Sequence, residues 1–89
     1  MHEIKFHAYP TIKYANKIIE LCENAISSTE KDVLFNFNNC LFSDPFAITL
    51  LAGTMMSCVK QGKVVRFRRP KHKKLEEFFK SIAFYQWGK

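Results

Sequence analysis

Histidine and cysteine are the residue types of this chain that most often carry out catalysis or bind metals, and neither is placed for such work. Catalysis needs a nucleophile and a base, or an acid and a base, within hydrogen-bond reach. Zinc needs ligands at short, repeated spacings. The histidines have no such neighbours and stand at His2, His7 and His72. We therefore predict no catalytic residue, no metal site and no enzymatic function.

The cysteines indicate the redox environment of the chain. Cys22, Cys40 and Cys58 are odd in number and widely spaced, and each lies in an apolar stretch. A disulfide framework in a secreted chain normally uses an even number of cysteines. We predict three reduced thiols that serve as small core residues. This prediction favours a cytoplasmic protein.

Glycine usage and hydropathy bear on cofactors and membranes. The chain contains neither GxxxxGK[ST] nor GxGxxG, the patterns that cradle nucleotide phosphates. It also has no run of about 18 apolar residues, the length expected of a membrane-spanning helix. We predict that the protein binds no cofactor and does not insert into a membrane.

Positive charge is concentrated in one segment of this chain, whose net charge is +6. A basic patch neutralises phosphates, so nucleic-acid binding through residues 66–74 is an alternative function. An acidic protein partner, or a face that only keeps the chain in solution, explains the same charges. The predicted patch consists of Lys63, Arg66, Arg68, Arg69, Lys71, Lys73 and Lys74.

Two periodicities alternate along the chain and predict its elements. A period of two, typical of strands, occurs at residues 2–8, and short runs of strand-forming residues occur at 32–37 and 63–68. Helical spacing of apolar residues follows each of them, at 12–26, 44–61 and 70–82. Pro70 opens the third helix, whose predicted inner stripe is Leu75, Phe78, Phe79 and Ile82.

This order of elements predicts the fold class. Short strands joined by helical crossovers pack most economically as a parallel sheet. Residues 84–87 fit a short additional edge strand. We predict a single α/β domain over residues 1–89, in the order β-α-β-α-β-α(-β), with a mainly parallel sheet covered by helices.

The central helix has more apolar residues than one buried face needs. Asp44 is its predicted N-cap and Pro45 its first residue. One helical stripe is formed by Ile48, Leu51, Ala52, Met55 and Cys58, and a second set is left over: Phe46, Leu50, Gly53 and Met56. An exposed apolar patch usually marks an interaction surface. Core packing alone, with Phe46 and Leu50 under the preceding loop, is the alternative.

Residues 33–48 resemble the centre of a STAS domain, the fold of anti-sigma factor antagonists. The family has a strand that ends in an Asp-Leu-Ser-like turn, followed by a hydrophobic-Asp-Ser-Ser-Gly loop that opens a helix. Here Asn36-Phe37-Asn38 matches the first element, and Phe42-Ser43-Asp44 leads into the second. The helix end at 60–63, the strand at 64–67 and the last helix at 75–84 are also similar.

The resemblance implies a regulatory module that docks partner proteins, typically histidine-kinase-like ATPases that phosphorylate a serine at the start of the central helix. Phe46 stands at that serine position, with Pro45 before it and Ala47 in place of the glycine. Many members begin with a hairpin where this chain has one strand. The chain therefore resembles a variant that is not phosphorylated there and makes a constitutive apolar contact with an ATPase or anti-sigma-type regulator. The predicted partner-binding residues are Ser43, Asp44, Pro45, Phe46, Thr49 and Met56.

Overall fold

A computed structural model of the protein describes residues 1–6, 15–40 and 44–88. The order of the first six elements agrees with the prediction. The elements are β1 (His2–Lys5), α1 (Ala15–Ser27), β2 (Asp32–Asn36), α2 (Pro45–Lys60), β3 (Val64–Arg68), α3 (Lys73–Ser81) and a 3-10 helix (Phe84–Gly88). The predicted ends at residues 7–8 and 12 lie outside the described residues, as does Ser43.

The three strands form one parallel sheet, as predicted, and their order in the sheet is β1-β2-β3. In the central strand, Val33, Leu34 and Phe35 are all buried. Ile4 lies beside Phe35, and Phe35 lies beside Phe67. Because neighbouring residues in register share a face of the sheet, these three side chains form one layer.

The helices cover one face of the sheet. A single cluster of buried residues joins this face to α1 and α2, and it contains Phe35, Ile18 and Leu51. Leu34, which points to the opposite face, is buried but lies outside that cluster. The opposite face carries Glu3, Lys5, Arg66 and Arg68, and all four are exposed. The fold therefore has one apolar, covered face of the sheet and one charged, open face.

Local signals begin and end α2 as predicted. The backbone N–H of Ala47 donates to Asp44 Oδ1 at 3.0 Å, and Pro45 follows the cap. At the other end, Gly62 has a φ of 81°, a conformation that glycine adopts without strain. The N–H groups of Gly62 and Lys63 donate to the carbonyls of Val59 and Cys58, at 2.9 and 3.0 Å. This pair of bonds is a Schellman motif, which closes the helix.

The last part of the chain differs from the prediction. Residues 84–88 form a 3-10 helix, not an edge strand, because Phe84 and Tyr85 are both buried. In a strand, the side chains of these two adjacent residues would point to opposite faces of the sheet. The Phe84 ring stacks on Phe79 with the centroids 4.5 Å apart.

Helix α3 also corrects two expectations. It begins at Lys73 after an N-cap at His72, not at Pro70. Phe78 and Ile82, predicted as core residues, are 44% and 39% exposed. The buried residues of this short helix are Leu75 and Phe79, so its buried stripe is narrower than its apolar content suggests.

The cysteines have the predicted structural role. Cys22, Cys40 and Cys58 are buried and are not joined in disulfides. Burial raises the pKa of the Cys22 and Cys58 thiols. These thiols are therefore held in the protonated, unreactive form at neutral pH.

Candidate functional site

The outer face of α2 is formed by residues spaced three or four apart. Its exposed members are Phe46, Thr49, Gly53, Met56 and Lys60. Phe46 is 36% and Met56 42% exposed. Of the residues predicted to be left over, Phe46, Gly53 and Met56 are exposed and Leu50 is half-buried. Phe46, one of the two residues expected to pack under the preceding loop, is therefore exposed.

This face is uncharged along nearly its whole length. No residue from 45 to 59 carries a charge. By contrast, the exposed residues of α1 include Lys17, Glu20 and Glu23. A surface helix normally places charged and polar residues opposite its buried stripe. Helix α2 departs from that rule over about four turns.

The opposite side of α2 anchors it in the core. The buried residues of the helix are Ala47, Leu51, Thr54, Met55 and Cys58. The Thr54 hydroxyl donates to the carbonyl oxygen of Leu50 at 2.8 Å, so this buried polar group is satisfied. Because one side is fixed in this way, the outer face is presented rigidly.

A shallow depression of about 430 Å³ lies at the start of this face, lined by Pro45, Phe46, Thr49 and Leu50. Three of these residues belong to the predicted partner-binding set. Met56 lies on the same face, about 15 Å further along the helix. Asp44 is half-buried, and its carboxylate accepts the Ala47 N–H, so its visible role is to cap the helix that carries the others.

The loop that leads to α2 is held by asparagine side chains. Asn36 Oδ1 accepts the N–H of Asn38 at 3.0 Å, and Asn36 Nδ2 donates to Glu3 Oε2 at 2.8 Å. Asn38 Nδ2 donates to the carbonyl oxygen of Arg69 at 2.8 Å. These bonds tie the end of β2 to β1 and to the residue that follows β3.

A polar cavity of about 170 Å³ lies at the same end of the sheet. This cavity was not among the predicted sites, although asparagines at and just after the end of a buried strand are a signal for a site at the carboxyl ends of parallel strands. Asn36 and Asn38 take part in the hydrogen bonds described above. The two lysines that line the cavity, Lys5 and Lys71, are exposed. The lining residues are Lys5, Phe6, Asn36, Asn38, Asn39 and Lys71.

The predicted basic patch is divided into exposed and engaged residues. Arg66 and Arg68 lie on the open face of the sheet. The Nε atom of Arg66 is 3.9 Å from Oδ1 of Asp32. At the start of α3, the exposed lysines are Lys71, Lys73 and Lys74. The open face thus mixes cations with Glu3 and Asp32.

Lys63 has a structural contact that the sequence did not reveal. Its ammonium group donates to the carbonyl oxygens of Ala25, Ile26 and Ser28, at 2.8, 2.9 and 2.8 Å. All three N–H bonds of the ammonium group are used. These carbonyls belong to the end of α1 and the residue after it, where a helix lacks its own donors and favours a cation.

Arg69 is also engaged within the fold. Its guanidinium carbon lies 4.5 Å from the centre of the Tyr85 ring, and its Nη1 is 3.9 Å from Glu76. The Tyr85 hydroxyl donates to Glu76 Oε1 at 2.8 Å. Burial, together with this bond to a carboxylate, raises the pKa of Tyr85 above its ordinary value. The three side chains join β3, α3 and the 3-10 helix.

One of the three histidines has a structural role. His72 Nδ1 accepts the N–H of Leu75 at 3.4 Å, which is a capping bond. Within residues 1–6, 15–40 and 44–88, no three histidine, cysteine, aspartate or glutamate side chains converge as a metal site. None of the helices in this part of the chain is long and apolar enough to span a bilayer.

Comparison with protein-family models, with curated proteins and with solved structures finds no match to this chain. The features that bear on function therefore lie on the surface of the molecule. The feature that departs most from an ordinary small domain is the outer face of α2.

Proposed function

We propose that this domain is a STAS-like regulatory interaction module that docks a partner protein through the outer face of α2. The observation that carries the proposal is a helix face that is exposed at Phe46 and Met56 and uncharged from residue 45 to residue 59. Exposed apolar residues on a helix face without charges favour an interaction surface. The anchored inner side of α2 supports a preformed binding surface.

Phe46 is the proposed anchor of the contact. Aromatic residues at the centre of an interface often contribute most of the binding energy. The ring lies beside the depression lined by Pro45, Thr49 and Leu50, which offers a partner side chain a place to insert. Because Asp44 and Pro45 fix the first turn of the helix, little conformational entropy is lost when the partner binds.

The resemblance to STAS domains supports a histidine-kinase-like ATPase or an anti-sigma-type regulator as the partner. An apolar residue at the family's phosphoacceptor position suits a contact that does not depend on phosphorylation. Under this proposal Ser43, Asp44, Pro45, Phe46, Thr49 and Met56 form or support the contact, and binding is governed by the amount of partner present.

A pair of matched variants tests the proposal. Phe46 on α2 and Phe78 on α3 are both exposed phenylalanines, at 36% and 44%. The protein that co-purifies with this chain from its native cells is identified, purified and titrated by calorimetry. We expect Phe46→Asp to abolish measurable binding and Phe78→Asp to leave it unchanged, with both variants folded by circular dichroism. Equal binding by Phe46→Asp and the wild type would refute the proposal.

Nucleic-acid binding remains the second candidate, because Arg66 and Arg68 lie exposed on the open face of the sheet. Two observations reduce its support: Lys63 and Arg69 are engaged within the fold, and two carboxylates share the face with the arginines. Mobility-shift titration at about 50 mM salt tests it, since phosphate contacts strengthen steeply as salt falls. Binding that is lost in Arg66→Glu and retained in Phe46→Asp would favour this function over docking.

A further inference from the structure

Between Pro45 and Lys60, which are also exposed, the four exposed residues of α2 follow a size pattern that reads the same from either end. Phe46 is large, Thr49 is small, Gly53 has no side chain, and Met56 is large. Their spacings are three, four and three residues, so the pattern is symmetric about residue 51. A single partner surface has no need of such symmetry, whereas a two-fold contact requires one patch to be complementary to itself.

The sizes fit the geometry of two crossed helices. If α2 meets α2 of a second copy in the antiparallel direction about residue 51, Phe46 faces Met56 of the second copy and Thr49 faces Gly53 of the second copy. Crossed helices are closest at the crossing point and separate towards their ends. Small residues therefore suit the centre and large ones the ends. A Cβ built on Gly53 meets no atom within 4 Å, so the space above it is open.

Charge limits the surface on which two copies can meet and selects the antiparallel direction. The chain has a net charge of +6, so most faces of two copies repel each other, but residues 45–59 carry no charge. Lys60 ends the exposed stripe. In the antiparallel pair the two Lys60 positions are about 27 Å apart along the helices, beyond the roughly 8 Å screening length of physiological salt. A parallel pair would place them side by side.

We propose that α2 mediates a symmetric, antiparallel homodimer through Phe46, Thr49, Gly53 and Met56. This inference goes beyond the proposed function, since it names a second copy as the occupant of the same surface when no regulatory partner is present. A regulatory partner then competes with self-association, so the dimer limits access to Phe46.

Gly53→Gln is the sharpest test of this dimer. The open space at Gly53 accepts the side chain in the monomer, and glutamine is a better helix former than glycine. The variant should therefore raise the melting temperature of the monomer while it blocks the crossing point. We expect sedimentation velocity up to about 1 mM protein to show an association constant at least tenfold lower than that of the wild type. Asn24→Gln, at an exposed position of α1, is the control and should dimerise as the wild type does.

A distance measurement tests the direction of the pair. The native cysteines are buried, so a nitroxide label can be confined to Cys introduced by Lys60→Cys in the folded protein. Pulsed electron spin resonance should report a separation near 27 Å, broadened by the label linkers. A separation below about 15 Å would mean a parallel pair and would overturn the proposal.

The failure of the dimer and the failure of the docking function give different results. A wild-type chain that stays monomeric up to about 1 mM overturns the dimer, but docking stands if Phe46→Asp still loses the regulatory partner. A dimer that Gly53→Gln disrupts supports the inference. If the regulatory partner nevertheless binds Phe46→Asp normally, the dimer stands and the docking function fails.

Discussion

Helices α2 and α3 each expose a phenylalanine, but the two surroundings differ. Phe78 lies among the exposed residues Lys74, Glu77 and Ser81 of α3, and the exposed Ile82 follows one turn later. Phe46 lies on a face where no residue is charged before Lys60. Exposed apolar residues scattered among charged and polar ones are normal on a protein surface. The comparison shows that the continuity of the apolar face, more than the exposure of any one residue, indicates a docking surface.

The largest expected effect separates the two sides of α2. Met55 is fully buried, whereas its neighbour Met56 is 42% exposed. Met55→Ala should lower the free energy of unfolding by about 2–5 kcal/mol, because it leaves a cavity in the core. Met56→Ala should change it by less than about 0.5 kcal/mol. Urea denaturation of both variants measures the difference, and equal losses would contradict the assignment of the outer face.

The next largest effect is the difference in stability between variants of Lys63, which follows α2, and Lys74 on α3. Lys63→Met removes the donors for three carbonyl oxygens around the end of α1. We expect a loss of about 1–3 kcal/mol, the cost of hydrogen bonds to a charged group. Lys74→Met, at an exposed position, should cost less than about 0.5 kcal/mol. Thermal or chemical denaturation measures both. Similar losses in the two variants would mean that the Lys63 contacts add nothing to stability.

A smaller effect tests whether continuity of the apolar face matters. Thr49→Arg places a charge on the outer face of α2, at the depression beside Phe46. It should lower the affinity for the partner by at least about tenfold, since the charge must be desolvated on binding. Asn24→Arg adds the same charge on α1 and should leave the affinity unchanged. Calorimetric titration of both variants gives the comparison, and an unchanged affinity for Thr49→Arg would weaken the docking account.

The smallest effect concerns the junction of α3 with the 3-10 helix. Tyr85→Phe loses one hydrogen bond to Glu76 and should cost about 1 kcal/mol at neutral pH. Because the folded state raises the pKa of Tyr85, it favours the protonated hydroxyl. That stabilisation is present below about pH 10 and is lost as the pH rises further.

The pH dependence of unfolding isolates this contribution. Chemical denaturation between about pH 8 and 11 should show that the wild type loses stability more steeply above about pH 10 than Tyr85→Phe does. The buried cysteines contribute equally in both proteins, so the difference belongs to Tyr85. Parallel curves would show that Tyr85 is not held protonated by the fold.

Much of α2 could be predicted from local signals. Asp44 and Pro45 begin the helix, Gly62 ends it, and the three- and four-residue spacing separates the inner residues from Phe46 and Met56. These features depend on near neighbours in the chain, which a sequence displays directly. The parallel direction of the strands follows as well, since short helical crossovers favour a parallel sheet.

The rest depends on contacts between distant residues. Lys63 binds carbonyls 35 to 38 positions earlier in the chain, which no local pattern indicates. Phe78 and Phe79 are adjacent and identical in type, yet only Phe79 finds space in the core beside Phe37 and Phe84. The turn at 84–88 is helical for the same reason, because it must bury two consecutive aromatic rings.

The most direct test of the central claim is a map of the surface that the partner covers. Nuclear magnetic resonance spectra of the labelled domain, recorded with and without the purified partner, report this residue by residue. The account predicts that the largest shift changes fall on Phe46, Thr49, Gly53 and Met56, with little change at Arg66 and Arg68. Changes centred on the two arginines of the open sheet face, with α2 unaffected, would contradict it.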